Sequence, residues 1–425
     1  MLARFLSNVR GNVAPLLGIV ALPLMTAVGI AVDYTRANAD RTAFQVALDS
    51  TALSLSKDAM NKSTTALQTE ATNTFNALFN RPGVTNVQVT PNYTNDGGSK
   101  LTLSGTAVVH TSFLSIIGVS QINIDSTAVS TWGNTRLRVA LVLDNTGSMN
   151  DDGKIAALKT ASQNLLNQLK SAALNPEDVY VSIVPFVKDV NVGPSNYNQS
   201  WIRWDLWDAV NGKCSNTTYK NQSNCVSHGK IWTPNAHSTW NGCVTDRDQN
   251  FDTTNSAPVA GATLYPAEQY SACPSASVVG LTNNWDALTA SINSMTANGN
   301  TNQAIGLQLG WQTLTAAPFT IPAVDPNYKY QTVIILLTDG LNTQDRWYST
   351  ASSIDAREQT TCNNIKAADI TLYTVQVNTG GDPTSTLLQN CASDPGKFFL
   401  LTSAGQMVTT FGQIGTSLSK LRLAM

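Results

Sequence analysis

The hydrophobic pattern is clearest in two short runs, 137–143 (LRVALVL) and 333–337 (VIILL). Each is almost unbroken, as in strands of a parallel sheet buried on both faces. Helical and strand signals alternate around them. Ile155, Leu158, Leu165 and Leu169 share one helical face, and 179–187 reads as a second core strand carrying Pro185. A helix over 285–295 precedes the apolar stripe Ala304, Leu307, Trp311 and Leu314. Then follow a helix at 353–368, a strand at 371–377, a short helix at 385–391, a strand at 398–402 and a helix at 405–421. Such alternation predicts an α/β fold, a doubly wound, mostly parallel sheet with helices on both faces.

The first third has a different rhythm. Residues 13–32 are apolar, about the length that spans a bilayer as a helix. Arg4 and Arg10 precede the stretch and orient the remainder outward, although Arg36 and Arg41 follow closely. Gly29-Ile30-Ala31 offers a cleavage site, but the stretch is long for a signal peptide and is read as a retained anchor. Helical character continues through 33–57 with Phe44, Leu48 and Leu55 in phase, and a second helix over 64–79 stops at Arg81-Pro82-Gly83. Strand-like runs at 84–89, 101–114 and 122–131 are separated by the turn signals Asn95-Asp96-Gly97-Gly98 and Gly118-Val119-Ser120-Gln121. The layout is an anchor, a helical stalk and a small sheet, as in pilin-like subunits.

The chemistry sits where the apolar runs stop. The first ends in Asp144-Asn145-Thr146-Gly147-Ser148, the second in Thr338-Asp339-Gly340, and Thr301 opens the helix that carries the Ala304 stripe. Functional groups of parallel sheets gather at the carboxyl ends of the strands. Oxygen donors without His or Cys point to a hard divalent cation. The spacing D-x-T-x-S after a buried strand resembles the metal-ion-dependent adhesion site of von Willebrand factor A domains. The resemblance implies metal binding by Asp144, Thr146, Ser148, Thr301 and Asp339. Mg²⁺ is the foremost candidate, with Mn²⁺ or Ca²⁺ as alternatives, and an acidic residue of a partner protein would complete the coordination.

The opening Arg10-Gly11-Asn12-Val13-Ala14-Pro15, with 28–34 (VGIAVDY), resembles TadE/TadG-like pilus-assembly proteins. So does the run from Ala272-Cys273-Pro274 to Leu314. A processed prepilin carries Glu at the fifth position after its cleavage Gly, whereas Leu16 occupies that place after Gly11. That argues against cleavage by a prepilin peptidase. The expected organisation is an N-terminus and anchor at 1–33, a pilin-like α+β region at 34–133 and a von Willebrand A-type domain at 134–425.

Charge is sparse: 13% of the residues are charged and the formal net charge is −2. No basic cluster calls for nucleic acid, and no phosphate-cradling Gly-Lys loop calls for a nucleotide. All six cysteines lie beyond residue 200, an even set that fits disulfides in an oxidising compartment. Cys362 and Cys391 flank one helix–strand–helix unit and are paired on that ground; Cys214, Cys225, Cys243 and Cys273 stay unassigned. Four of the six fall in a loop-like insertion at about 188–282, read as an ordered, disulfide-stapled cap. There Trp201, Trp204 and Trp207 read as the buried face of a short helix ahead of a binding patch, and His228 and His237 as loop residues.

Together these readings describe a TadG-like component of Flp/Tad pilus assembly or anchoring. It would make a single pass through the bacterial inner membrane, lie mostly in the periplasm and bind pilus or envelope-assembly proteins through the metal. The alternatives are a released metal-dependent adhesin and a metal-dependent phosphohydrolase. Against the second, Asn145 stands where an acid or a phosphate-holding Lys belongs.

Overall fold

The computed structural model describes residues 13–423 except 57, 96–98, 133–134 and 327. The chain divides between residues 134 and 135 into two compact units.

In the first unit, helix α1 (Val13–Ser56) runs without interruption through Pro23. Its early part exposes Ile19, Leu24, Met25, Val28 and Val32, and is apolar and long enough to cross a membrane. Its later part buries Phe44, Leu48 and Leu55, the residues whose phase marked them in the sequence. Helix α2 (Thr64–Leu78) starts where the Ser63 side chain accepts from Ala66 N, and buries Leu67, Ala71 and Phe75 at successive fourth positions. Rings of Phe44, Phe75 and Phe79 interlock with centroids 4.9–5.4 Å apart. They pack against the antiparallel sheet of β1 (Val84–Thr94), β2 (Ser99–His110) and β3 (Gln121–Trp132). The second of these strands ends at His110, not at Leu114. The next residues leave the ladder because the Asp33 carboxylate takes the backbone N–H groups of Ser112, Phe113 and Leu114.

The second unit is built on β4 (Thr135–Asp144). It pairs in parallel with β5 (Val179–Phe186) on one side and, on the other, with β9 (Lys329–Thr338), which is followed outward by β10 (Thr371–Val377) and β11 (Phe398–Leu401). Short antiparallel strands complete the far edge: β6 (Val190–Asn191), β7 (Cys243–Val244) and β8 (Val279–Thr282). Residues 279–282 thus belong to the sheet.

Alternation along β4 divides the core into two layers. Leu137, Val139, Leu141 and Leu143 face helices α3 (Lys154–Ala172), α4 (Trp285–Ser294) and α8 (Gln406–Leu423). Ala140 and Val142 face α5 (Gln303–Thr315), α6 (Ala351–Ala367) and α7 (Thr386–Cys391).

The stripe expected on α5 understates its burial. Gln303 to Leu314 are all buried, because the insertion covers the helix's outer side. Gln308 donates to Thr254 O at 2.8 Å and accepts from Tyr265 Oη at 2.9 Å. The insertion contains short helices at Asp205–Val210 and Gln222–Ser227, and the disulfides Cys214–Cys225 and Cys243–Cys273. A third disulfide joins Cys362 to Cys391. Trp207 is buried and half-buried Trp201 and Trp204 pack on the same core, so these rings are core residues. His237 is no free loop residue: it stacks on Trp204 at 3.8 Å and meets Asp208 at 2.9 Å. His228 is exposed and stacks on Tyr219.

Candidate functional site

Parallel register places the ends of β4 and β9 side by side, with Leu143 opposite Leu337. Asp144 and Asp339, which follow these positions, therefore arrive at the same edge of the sheet. Asp144 is fully buried. One of its oxygens accepts from Thr146 N at 2.7 Å, shaping the first loop, and the other from Thr338 Oγ1 at 2.6 Å, tying that loop to β9. Burial, and secondarily the charge of Asp339, push the Asp144 carboxyl up to about 6.

The first loop then presents its hydroxyls. Thr146 Oγ1 lies 3.2 Å from Ser148 Oγ, and Ser148 Oγ donates to Asp339 Oδ1 at 2.7 Å. The second Asp339 oxygen accepts from Lys154 Nζ at 2.5 Å. Lys154, the first residue of α3, is itself buried. No sequence signal marked it as part of this site.

The second loop is brought in by its backbone. Gly147 N donates to Gly299 O at 2.9 Å. Gly299 adopts φ +84°, a left-handed turn that favours glycine, and a Cβ there would meet Ala272 and Tyr270. Thr301, two residues on, is nearly buried. Its N–H donates to Thr343 Oγ1 at 2.8 Å, and its carbonyl accepts from Thr343 N and Gln344 N. Asn302 caps α5 by accepting from Ile305 N, while Gln303 donates to Gly340 O at 2.9 Å. The three loops are thus laced together. Thr338, Thr343 and Asn342, whose Oδ1 accepts from Gln303 N at 2.8 Å, hold this framework, and only the long-range contacts identify them.

Two carboxylates and one ammonium leave the cluster with a surplus negative charge. Its donors are hydroxyl and carboxylate oxygens, the set preferred by Mg²⁺, Mn²⁺ or Ca²⁺. Oxygens at neighbouring octahedral positions around Mg²⁺ are roughly 3 Å apart, given bonds of about 2.1 Å. The Thr146–Ser148 separation of 3.2 Å suits such an edge. Asn145, between Asp144 and Thr146, is buried with neither amide atom hydrogen-bonded. These residues fit a hard divalent cation.

The class defined by this sheet order and loop set is the von Willebrand factor type A domain, and residues 269–413 match its family model. The strand and first loop lying before that match complete the same sheet. Residues 11–55 match the putative Flp pilus-assembly TadE/G-like family. A TadE/G-like segment followed by a von Willebrand type A domain is the arrangement of a TadG-like Flp pilus protein, and both matches support it.

Several solved structures are similar to parts of the chain. The pilus adhesin SpaC from Lactobacillus rhamnosus GG is 13% identical over 81% of this chain and 36% of its own, with a TM-score of 0.38. This chain therefore spans about a third of SpaC's length. The vWF domain of the type V pili tip protein Mfa5 from Porphyromonas gingivalis is 10% identical over 68% of this chain and 97% of its own, at 0.39. A point mutant of the PilB minor pilin from Streptococcus sanguinis is 12% identical over 79% of each chain, at 0.37. At such scores none of them bears on function. No curated protein sequence matches the chain.

Proposed function

We propose that this protein binds a divalent cation, Mg²⁺ foremost, at Asp144, Thr146, Ser148, Thr301 and Asp339, and through it an acidic residue of a pilus or envelope-assembly protein. Helix α1 anchors it in the bacterial inner membrane with the bulk of the chain in the periplasm. The observation that carries this reading is the pair of Thr146 and Ser148 hydroxyls, 3.2 Å apart, with Ser148 bonded to Asp339 at the edge between β4 and β9. Neutral hydroxyls leave a bound cation under-neutralised, and the cation supplies attraction for an incoming carboxylate. Around it, the chain's own residues orient the oxygens: Thr338 holds Asp144 and Thr343 holds the Thr301 backbone.

Binding is favoured over phosphoryl chemistry by the state of Asp144. Both its oxygens accept hydrogen bonds from the framework, which is a structural posture and not that of a nucleophile.

The test is thermal unfolding of the full chain in detergent during titration with Mg²⁺, Mn²⁺ or Ca²⁺, beside Asp144→Ala and Thr301→Ala. Saturable stabilisation of the wild type, lost in both variants, is expected. A wild type indifferent to all three ions overturns the metal reading.

A further inference from the structure

The loop between β2 and β3 is pinned to the apolar part of α1 by two contacts within the first unit. The buried Asp33 carboxylate accepts from the N–H groups of Phe113 and Leu114 at 2.7 Å each, and from that of Ser112. One helical turn earlier, the Phe113 ring lies directly over Gly29: a Cβ built there would come 2.6 Å from Phe113 Cγ. A turn rises about 5.4 Å, so Phe113 sits about that far down the helix from Asp33, alongside the end of the apolar stretch. Leu24, Met25, Val28, Val32 and Phe113 line one apolar groove.

The loop tip is apolar and unpartnered. Leu114–Ile117 form one 3-10 turn, closed by Gly118 in the left-handed conformation. Ile116 is 77% exposed, Ile117 55% and Val119 43%. No charged residue occurs from Thr111 to Ile124. A soluble face does not gather such residues without a partner. Here the partner is indicated by continuity, because the same loop rides on the helix whose exposed side chains are the membrane-spanning ones.

We infer that the 113–119 loop is a second membrane contact, its Phe113, Ile116, Ile117 and Val119 side chains dipping into the headgroup–acyl boundary beside α1. This inference rests on the membrane anchoring proposed above. The loop fixes the small sheet against the bilayer at two places, one spanning and one interfacial. It does so without Trp, Lys or Arg at the tip, through buried apolar area alone. The occupant is the lipid surface; a second copy or another apolar helix is the competing possibility.

The test places a single thiol-linked NBD fluorophore on the full chain in phosphatidylethanolamine–phosphatidylglycerol vesicles, at Ile116→Cys, Val28→Cys or Lys100→Cys. Among the described residues all native cysteines are in disulfides, so the introduced thiol is the reactive one. Ile116 and Lys100 are exposed, so neither substitution disturbs packing. Lys100 lies at the other end of β2 and serves as the aqueous reference. The expected result is blue-shifted emission at 116 and 28, quenched by lipids spin-labelled near the headgroup, with no quenching at 100. Quenching at 28 but not at 116 overturns the loop proposal alone. A blue shift at 116 without lipid quenching assigns the patch to a protein partner and also overturns it. No quenching at either 28 or 116 overturns the anchor reading together with the loop proposal.

Discussion

Lys154 Nζ lies 2.5 Å from Asp339 Oδ2, and a buried ion pair thereby joins the start of α3 to the end of β9 in the middle of the candidate metal site. The ammonium neutralises one of two buried carboxylates whose charges oppose each other. It does so at the residue a cation would also engage. Lys154 and a divalent ion are therefore expected to compete for Asp339. Lys154→Met should lower metal-free stability by about 3 kcal/mol, the cost of leaving a buried charge unpaired. It should also tighten Mg²⁺ binding by about tenfold, or ~1.4 kcal/mol. Calorimetric titration separates the two effects. Weaker Mg²⁺ binding in the variant would mean that Lys154 organises the oxygens and does not compete for them.

Helix α5 approaches β4 closely at Gly310, where an added Cβ would fall inside the contact distance of Val142 Cγ2. Gly310→Ala should cost about 1–3 kcal/mol through overpacking, despite the better helix propensity of Ala. Adding Val142→Ala vacates the same space, so the double variant should be more stable than the sum of the single losses allows. Denaturant unfolding of the four proteins gives the coupling; strict additivity would refute the contact.

Glu358 is fully buried on α6. It accepts from Asn342 Nδ2 at 2.8 Å through one oxygen and has no hydrogen-bond partner for the other. Burial raises its carboxyl from 4.5 to about 8. The folded protein keeps a proton that the unfolded chain releases above about 4.5, so folding becomes less favourable as pH rises from there to about 8. The loss approaches about 1.4 kcal/mol per pH unit within that window. Glu358→Gln, which cannot ionise, should flatten this slope in melting curves taken from pH 5 to 8, and should gain most on wild type at the alkaline end.

Arg247 is almost wholly buried in the insertion. Its guanidinium donates to the carbonyls of Ser256 (2.6 Å) and Thr254, and lies 5.0 Å from the Tyr265 ring centroid. The Thr254 carbonyl also receives Gln308, so one side chain shapes the segment that covers α5. Arg247→Lys keeps the charge but cannot fork to two carbonyls. It should cost about 2 kcal/mol or more and speed hydrogen exchange in 303–315. Unchanged exchange there would detach the insertion from the role of a cover.

The elements were legible wherever one local property decided them. The runs 137–143 and 333–337 announce strands because a sheet covered on both faces tolerates almost only apolar residues there. Thr301 was legible as lying just ahead of a helix, whose cap is Asn302, and the carboxylates as strand-end residues. The insertion was legible as an ordered cap from its cysteines, but not in what it covers. Trp207 and Arg247 carry no periodic signal, and their burial depends on contacts far along the chain. The stripe on α5 was incomplete for the same reason, since Gln308 and Gln312 are polar by sequence and buried only because the insertion supplies their partners.

By itself, the sequence determined the membrane-length apolar stretch, the alternation of strands and helices, and the oxygen-rich ends of two buried strands. Each follows from backbone periodicity and from which side chains water excludes. Only the tertiary structure decided that Lys154 meets Asp339 across 185 positions, that Asp33 clamps the 112–114 backbone, and that Phe113 rests on Gly29. Those pairings arise from the packing of elements distant in sequence, where complementary shape and an unsatisfied buried charge select the partner, and neither leaves a local pattern to read.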